Sequence, residues 1–381
     1  MNKITKVIII ILQIASTQVI FSQNTDFQSG SIWKDNNGIH INAHGGGILY
    51  FKHTYFWYGE HKIEGTKGNA AWVGVHVYSS KDLYNWTDSG IALPVVKNDS
   101  LNEISEGCVL ERPKVIYNSK TKKFVMWFHL ELRGKGYDAA RAGVAIADKP
   151  TGPFTYLKSF RPNAGYWPIN VQPFHKQPVG KDIKDKYCGG KGCLPAHVDT
   201  VNILGRDFKG GQMSRDMNLF VDTDAKAYLI SASEENSTTH ISQLTDDYLS
   251  TSGKYVRIFP NRYMEAGTIF KTSSGIYFFM ASDCTGWSPN AARSAWTTNI
   301  FGPWTEIGNP ATGPDSALTF RSQSTFILPY KGKKDAFIYM GDRWNPDNAI
   351  DGRYVWLPIK LSKNKFQISW MDKWDLEYLY K

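Results

Sequence analysis

The chain has 381 residues, of which 42% are hydrophobic and 14% aromatic, enough apolar matter for a packed core. Its formal charge of +9 comes from scattered Lys and Arg, clustered only in short pairs such as Lys122-Lys123 and Lys333-Lys334. Without a basic stripe or a known motif this excludes a nucleic-acid binder, though attraction to an acidic polymer stays open. The 13 Trp, 20 Tyr and 20 Phe suit strands, and some of them suit flat faces lining a sugar site.

In chain order, Lys3 and Lys6 precede the apolar run Val7–Ala15, which reads as a secretory signal ending near Ser22-Gln23. The run is too short for a membrane span, and no Cys follows it as a lipid attachment point. A secreted or periplasmic protein without a membrane anchor is expected. Residues 23 to about 41 form a leader onto the first sheet.

Five times the chain then repeats one pattern: polar residues, a short apolar run, a turn, and a second apolar run. The first copy starts at His44-Gly45-Gly46-Gly47, the second at Glu111-Arg112-Pro113-Lys114 and the third at Ser214-Arg215-Asp216. The fourth starts at Glu265-Ala266-Gly267 and the fifth at Ser322-Gln323-Ser324. Each copy closes on further alternating strands, as in Val75-His76-Val77-Tyr78 before Asp82-Leu83 and Trp86. Repeats spaced by roughly 50 to 100 residues imply repeated sheets rather than a solenoid. About four strands in each of five units predict an all-β, five-bladed β-propeller.

A segment of about 161–211, rich in Gly, Pro and Lys, is an insertion in the domain that spans 23–381. Within it, Cys188 and Cys193 flank a Gly-rich loop, and in an oxidising compartment they are expected to form a disulfide. The stretch Asp222-Thr223-Asp224 resembles the start of a calcium loop, but lacks its Gly and distal Glu; a hairpin turn explains it better.

In a propeller the N-terminal ends of the innermost strands converge on the axis. Here those ends carry His44, Glu111-Arg112, Arg215-Asp216, Glu265 and Gln323. Three carboxylates from three sheets would share one pocket and raise one another's pKa, which suits a proton donor near neutral pH. Glycosidic bond cleavage needs such a donor. His44 also raises the question of a metal ligand, but a lone His is more often a satisfied polar residue, so neither metal nor cofactor is expected.

The ordered set of motifs from about Ile41 to Ile359 resembles glycoside hydrolase family 43, and most of all its exo-β-1,3-galactanase group. The pieces that carry the resemblance include Ala43-His44-Gly45-Gly46-Gly47, Trp57-Tyr58-Gly59-Glu60, Glu111-Arg112-Pro113-Lys114-Val115, Ser214-Arg215-Asp216, Cys284-Thr285-Gly286-Trp287 and Ser322-Gln323-Ser324-Thr325. The resemblance implies an inverting enzyme with Glu265 as the acid and Asp216 tuning and positioning it. Where most of the family has an Asp base on the first blade, this chain has Asn42-Ala43-His44. The galactanase group shares that departure, and Gln323 matches the residue thought to hold its attacking water. By the same resemblance Glu60 and Glu111 contact galactose or adjust the site, Arg112 and Tyr137 bind sugar, and Trp287 is a stacking platform. The expected partner is a β-1,3-galactan such as an arabinogalactan backbone, cleaved by a monomer. The alternatives are an α-L-arabinofuranosidase or β-xylosidase of the same fold, and a carbohydrate-binding propeller that has lost catalysis.

Overall fold

The computed structural model describes residues 23–179, 201–286 and 288–381. The signal segment 1–22, the Cys188–Cys193 pair and Trp287 lie outside the described residues.

Strand β1 (Phe27–Gln28) is followed by five antiparallel sheets in sequence order. The first holds β2 (His44–Phe51), β3 (Thr54–His61), β4 (Gly74–Ser80) and β5 (Thr87–Pro94). The second holds β6 (Val109–Asn118), β7 (Lys123–Glu131), β8 (Arg141–Ala147) and β9 (Thr155–Phe160). The third holds β10 (Met217–Val221), β11 (Ala227–Ser233), β12 (Thr238–Leu244) and β13 (Thr251–Ile258). The fourth holds β14 (Glu265–Lys271), β15 (Tyr277–Ser282), β16 (Arg293–Thr297) and β17 (Thr305–Gly308). The fifth carries a short parallel edge strand, β18 (Ala311–Thr312), outside β19 (Gln323–Pro329), β20 (Phe337–Arg343), β21 (Arg353–Ser362) and β22 (Lys365–Ser369).

The first strand of each four packs against the first strand of the next: β2 on β6, β6 on β10, β10 on β14, β14 on β19, and β19 back on β2. That closed ring makes the molecule a five-bladed propeller, as the repeats predict. The leader does not extend the first sheet. Its β1 pairs instead with β23 (Lys373–Trp374), so both ends of the described chain meet across the seam between the first and fifth blades. Phe27, Trp57, Trp86, Trp356 and Trp374 pack together there, each at most 4% exposed. Much of the aromatic content is therefore blade-to-blade packing, with each fully buried large side chain contributing about 1.5–3 kcal/mol.

A local irregularity repeats at the inner ends. The β2–β3, β6–β7 and β14–β15 ladders slip register just after His44, Glu111 and Glu265. The next residues, Gly45, Arg112 and Ala266, have φ of 60°, 53° and 56°. A bulge with a left-handed residue re-aims the side chain beside it, and here it is used three times at one end of the ring.

Candidate active site

The bulged strand starts surround a cavity of about 610 Å³, within the usual range for a ligand pocket. The described residues given catalytic or sugar-binding roles in the sequence all line it: Glu60, Glu111, Arg112, Tyr137, Asp216, Glu265 and Gln323; His44 and Arg215, also at the strand starts, do not. A larger hollow of about 710 Å³ lies on the flank of the second blade, but among the described residues Asp138 is the one carboxylate in its lining.

Glu265 opens β14. Burial, then the negative charge of Asp216, push its carboxyl up to about 7, against a hydrogen bond from Cys284 that favours ionisation. Its Oε1 accepts from Cys284 Sγ at 3.0 Å and from Asn236 Nδ2 at 3.2 Å. Asp216 sits one residue before β10 and pairs with Arg112 Nε at 2.9 Å.

Glu111 has the opposite electrostatics. Burial favours its neutral form, but hydrogen bonds from His129 Nδ1 at 3.0 Å and Tyr137 OH at 2.9 Å hold it down to about 2. His129 lies between Glu111 and Glu131, 2.9 Å from the latter. Against the cost of burial, the two carboxylates raise its pKa to about 9, so it is an imidazolium at neutral pH. Two carboxyls in one pocket are thus pushed in opposite directions, the pattern that separates an acid from a fixed charge.

Arg112 faces away from solvent, with its side chain 5% exposed. Besides Asp216 it donates to Ser324 O at 3.0 Å and to Gln323 Oε1 at 2.5 Å. Its backbone N–H donates to Glu60 Oε1 at 2.9 Å, while Glu60 Oε2 lies 2.6 Å from Lys62 Nζ. Glu60 and Arg112 therefore spend their polar atoms on protein partners and form the floor of the pocket. Tyr137 is 39% exposed at the rim, its hydroxyl joining Glu111 to Asn69.

Gln323 Oε1 also accepts from Trp344 Nε1 at 3.2 Å, and its Nε2 donates to Ser282 Oγ at 2.9 Å. Guanidinium and indole are donors only, so they fix which end of the amide is oxygen. Both carbonyl lone pairs are taken, and one N–H remains for the cavity. An imidic-acid form would place an O–H against two donors, so the geometry favours the ordinary amide as a holder of water.

His44 is fully buried against Tyr354, and burial followed by the Lys62 charge keeps its pKa well below the ordinary value. Among the described residues, ligand atoms of Glu111, His129 and Asp216 lie within 4.8 Å of one another. Each already has a protein partner of opposite charge, so the arrangement is a salt-bridge cluster.

Sequence reasoning assigned no separate role to Asn236, Cys284, Lys62, His129 or Trp344. Cys284 stands within the Cys284-Thr285-Gly286 motif, and Trp344 directly follows β20, the strand paired with that of Gln323; these are the available signals. Asn236 carried none, because a tight turn between β11 and β12 brings it in.

A five-bladed propeller with a raised carboxyl beside a second carboxylate at its axial mouth fits a glycoside hydrolase. No family model matches the chain, and no curated protein sequence matches it. Solved structures do match. A GH43 β-1,3-galactosidase with galactodeoxynojirimycin is 46% identical, over 92% of this chain and 100% of that one, with a TM-score of 0.85. The exo-β-1,3-galactanase from Clostridium thermocellum is 36% identical over 91% of this chain and 66% of its own, with a TM-score of 0.73. The exo-β-1,3-galactanase from Phanerochaete chrysosporium with β-1,3-galactotriose is 32% identical over 93% and 68%, also at 0.73. The chain belongs to glycoside hydrolase family 43, within its exo-β-1,3-galactanase-like group.

Proposed function

We propose that this enzyme is exported and works as a monomer, releasing galactose from the non-reducing end of β-1,3-galactan with inversion. The observation that carries the reading is the pairing of Glu265, raised to about 7 by burial and then by Asp216, with the locked amide of Gln323. The galactose-type ligands bound by two relatives support the sugar. The apolar N-terminal run supports export.

In this mechanism Glu265 protonates the glycosidic oxygen as the bond to the anomeric carbon breaks. Asp216, paired with Arg112, sets a negative charge beside Glu265 that disfavours a second one and so keeps Glu265 protonated near neutral pH. The free N–H of Gln323 holds the attacking water on the opposite face. The transition state is oxocarbenium-like, so the water's proton leaves late, to solvent, and a strong base is dispensable.

The test is the first product's anomer, followed by NMR on a β-1,3-galactan; inversion gives α-galactose, and β-galactose refutes it. Glu265→Gln should lose about 10²–10⁴-fold on galactan and much less on an aryl galactoside whose leaving group needs no proton. Gln323→Ala should slow both substrates alike. Binding of galactan without turnover by the wild type would favour a binding propeller instead.

A further inference from the structure

We propose that Asn236 and Cys284 are positioning residues that dictate which oxygen of Glu265 carries the transferable proton. The inference rests on Glu265 being the acid.

Both donors reach the same atom. Cys284 Sγ lies 3.0 Å and Asn236 Nδ2 3.2 Å from Oε1, and the two donors are 3.9 Å from each other. A thiol and an amide NH₂ donate here, so Oε1 acts as acceptor in both charge states of the carboxyl. Burial, then the charge of Glu265, push the Cys284 thiol up, so it keeps its hydrogen. The acid's own hydrogen is left to Oε2. The two donors thus convert a symmetric carboxyl into one with a fixed donor oxygen, and proton transfer needs that geometry.

The chain meets a cost to place Asn236. Glu234, Glu235 and Asn236 have φ of 49°, 59° and 66°, three successive left-handed residues that are not glycine. Such residues cost about 1–2 kcal/mol each and persist only where the surroundings enforce them. Glu234 is held by Arg257 at 2.6 Å and His240 at 2.7 Å, and Glu235 by Arg206 at 3.0 Å and Arg215 at 3.2 Å. Arg206 lies in the short helix Ile203–Arg206, so the segment before the third blade braces the turn that holds the acid. Cys284 comes from the other side, two residues past the end of β15, where its N–H bonds Asp283 Oδ1 at 2.9 Å.

The charged groups that act on Glu265 are Asp216 before β10 and Glu111 and Arg112 on β6; Gln323 of β19 is neutral. A donor to Oε1 favours the ionised form, so its removal moves the acid's titration upward.

The experiment is the pH dependence of kcat/KM on a β-1,3-galactooligosaccharide. Cys284→Ala and Asn236→Ala should each shift the alkaline limb up by about 0.5–1 unit, while Cys284→Ser, which keeps a donor, should stay near wild type. Asn236→Asp preserves shape but sets a carboxylate beside Oε1. It should move the limb further, and it serves if an alanine variant does not fold. On an aryl galactoside that needs no proton, the Cys284→Ala and Asn236→Ala variants should show a smaller shift of the limb and a smaller loss than on the galactooligosaccharide. Folded variants that lose activity at every pH with the limb unmoved would overturn the assignment. Glu265→Gln, run alongside, separates the failures. If it retains galactan hydrolysis the acid itself is wrong; if it is crippled and the limbs do not move, only the positioning role falls.

Discussion

Replacing Arg112 with Met should uncouple the two halves of the site and weaken the fold at once. The guanidinium touches Asp216 at 2.9 Å, Gln323 at 2.5 Å and Ser324 O at 3.0 Å, with 5% of the side chain exposed. Met keeps much of the length and none of the donors. Asp216 then remains as a mostly buried carboxylate without its cation, a change that costs about 3–5 kcal/mol. Unfolding entropy near 2.1 cal/mol/K per residue gives about 0.8 kcal/mol/K for this chain, so Tm should fall by about 4–6 °C. Activity should fall further than stability explains, because Gln323 keeps only the indole donor on its carbonyl. The loss should appear in kcat on both galactan and an aryl galactoside, since holding water matters whatever the leaving group. Arg112→Lys should restore part of the stability and little of the rate, as one ammonium cannot serve Asp216 and Gln323 in the same fork geometry. Calorimetry beside kinetics on the two substrates checks this. A folded Arg112→Met enzyme with wild-type Tm, or with kcat intact on the aryl substrate, would refute the clamp.

Two further outcomes are expected. Asp342 is buried, and burial outweighs the Gly45 N–H bond at 2.6 Å, raising its carboxyl to about 7. Its stabilising share is complete below the ordinary value of 3.8 and is lost as pH rises through about 7, so Asp342→Asn should flatten that decline in denaturation midpoints between pH 4 and 8; an unchanged slope would count against it. Gly45 and Ala266 share a left-handed bulge, but a Cβ on Gly45 would meet Glu60 Oε1 at 2.2 Å. Gly45→Ala should therefore lower both Tm and activity, whereas Ala266→Gly should change Tm by no more than about 1 kcal/mol equivalent; equal effects would show that local space does not decide.

The repeated strand starts were legible because each joins a polar residue to an apolar run, and that junction survives in a single sequence. Glu265 and Gln323 stand at strand starts, and Asp216 one residue before β10. The path of the leader was not legible. Phe27-Gln28 has no local sign that its partner is Lys373-Trp374, since that pairing depends on ring closure. The resemblance gives Arg112 a sugar contact, and it does line the cavity; what the sequence does not carry is its φ of 53° and its side-chain bonds to Asp216 and Gln323, because a left-handed arginine has no sequence signature. Asn236 escaped for a related reason: tertiary ion pairs, not turn residues, set its turn.

The charges under the pocket explain how an amide can occupy a base's place. Lys114 reaches Gly45 O at 2.7 Å and Arg112 O at 3.3 Å, and burial followed by the Arg112 charge lowers its pKa to about 7. Gly45 N–H meets Asp342, and Glu60 meets both Lys62 and the Arg112 N–H. The first-blade bulge is therefore fastened to the second and fifth blades around Arg112. That residue carries the only guanidinium among the described residues that line the cavity, and it is already shared between Asp216 and Gln323. A carboxylate at position 323 would draw that shared cation toward itself and weaken its hold on Asp216. Asp216 would then be less firmly placed beside Glu265. With a neutral amide the cation stays with Asp216, the acid keeps its proton near neutral pH, and the water is held without a competing charge.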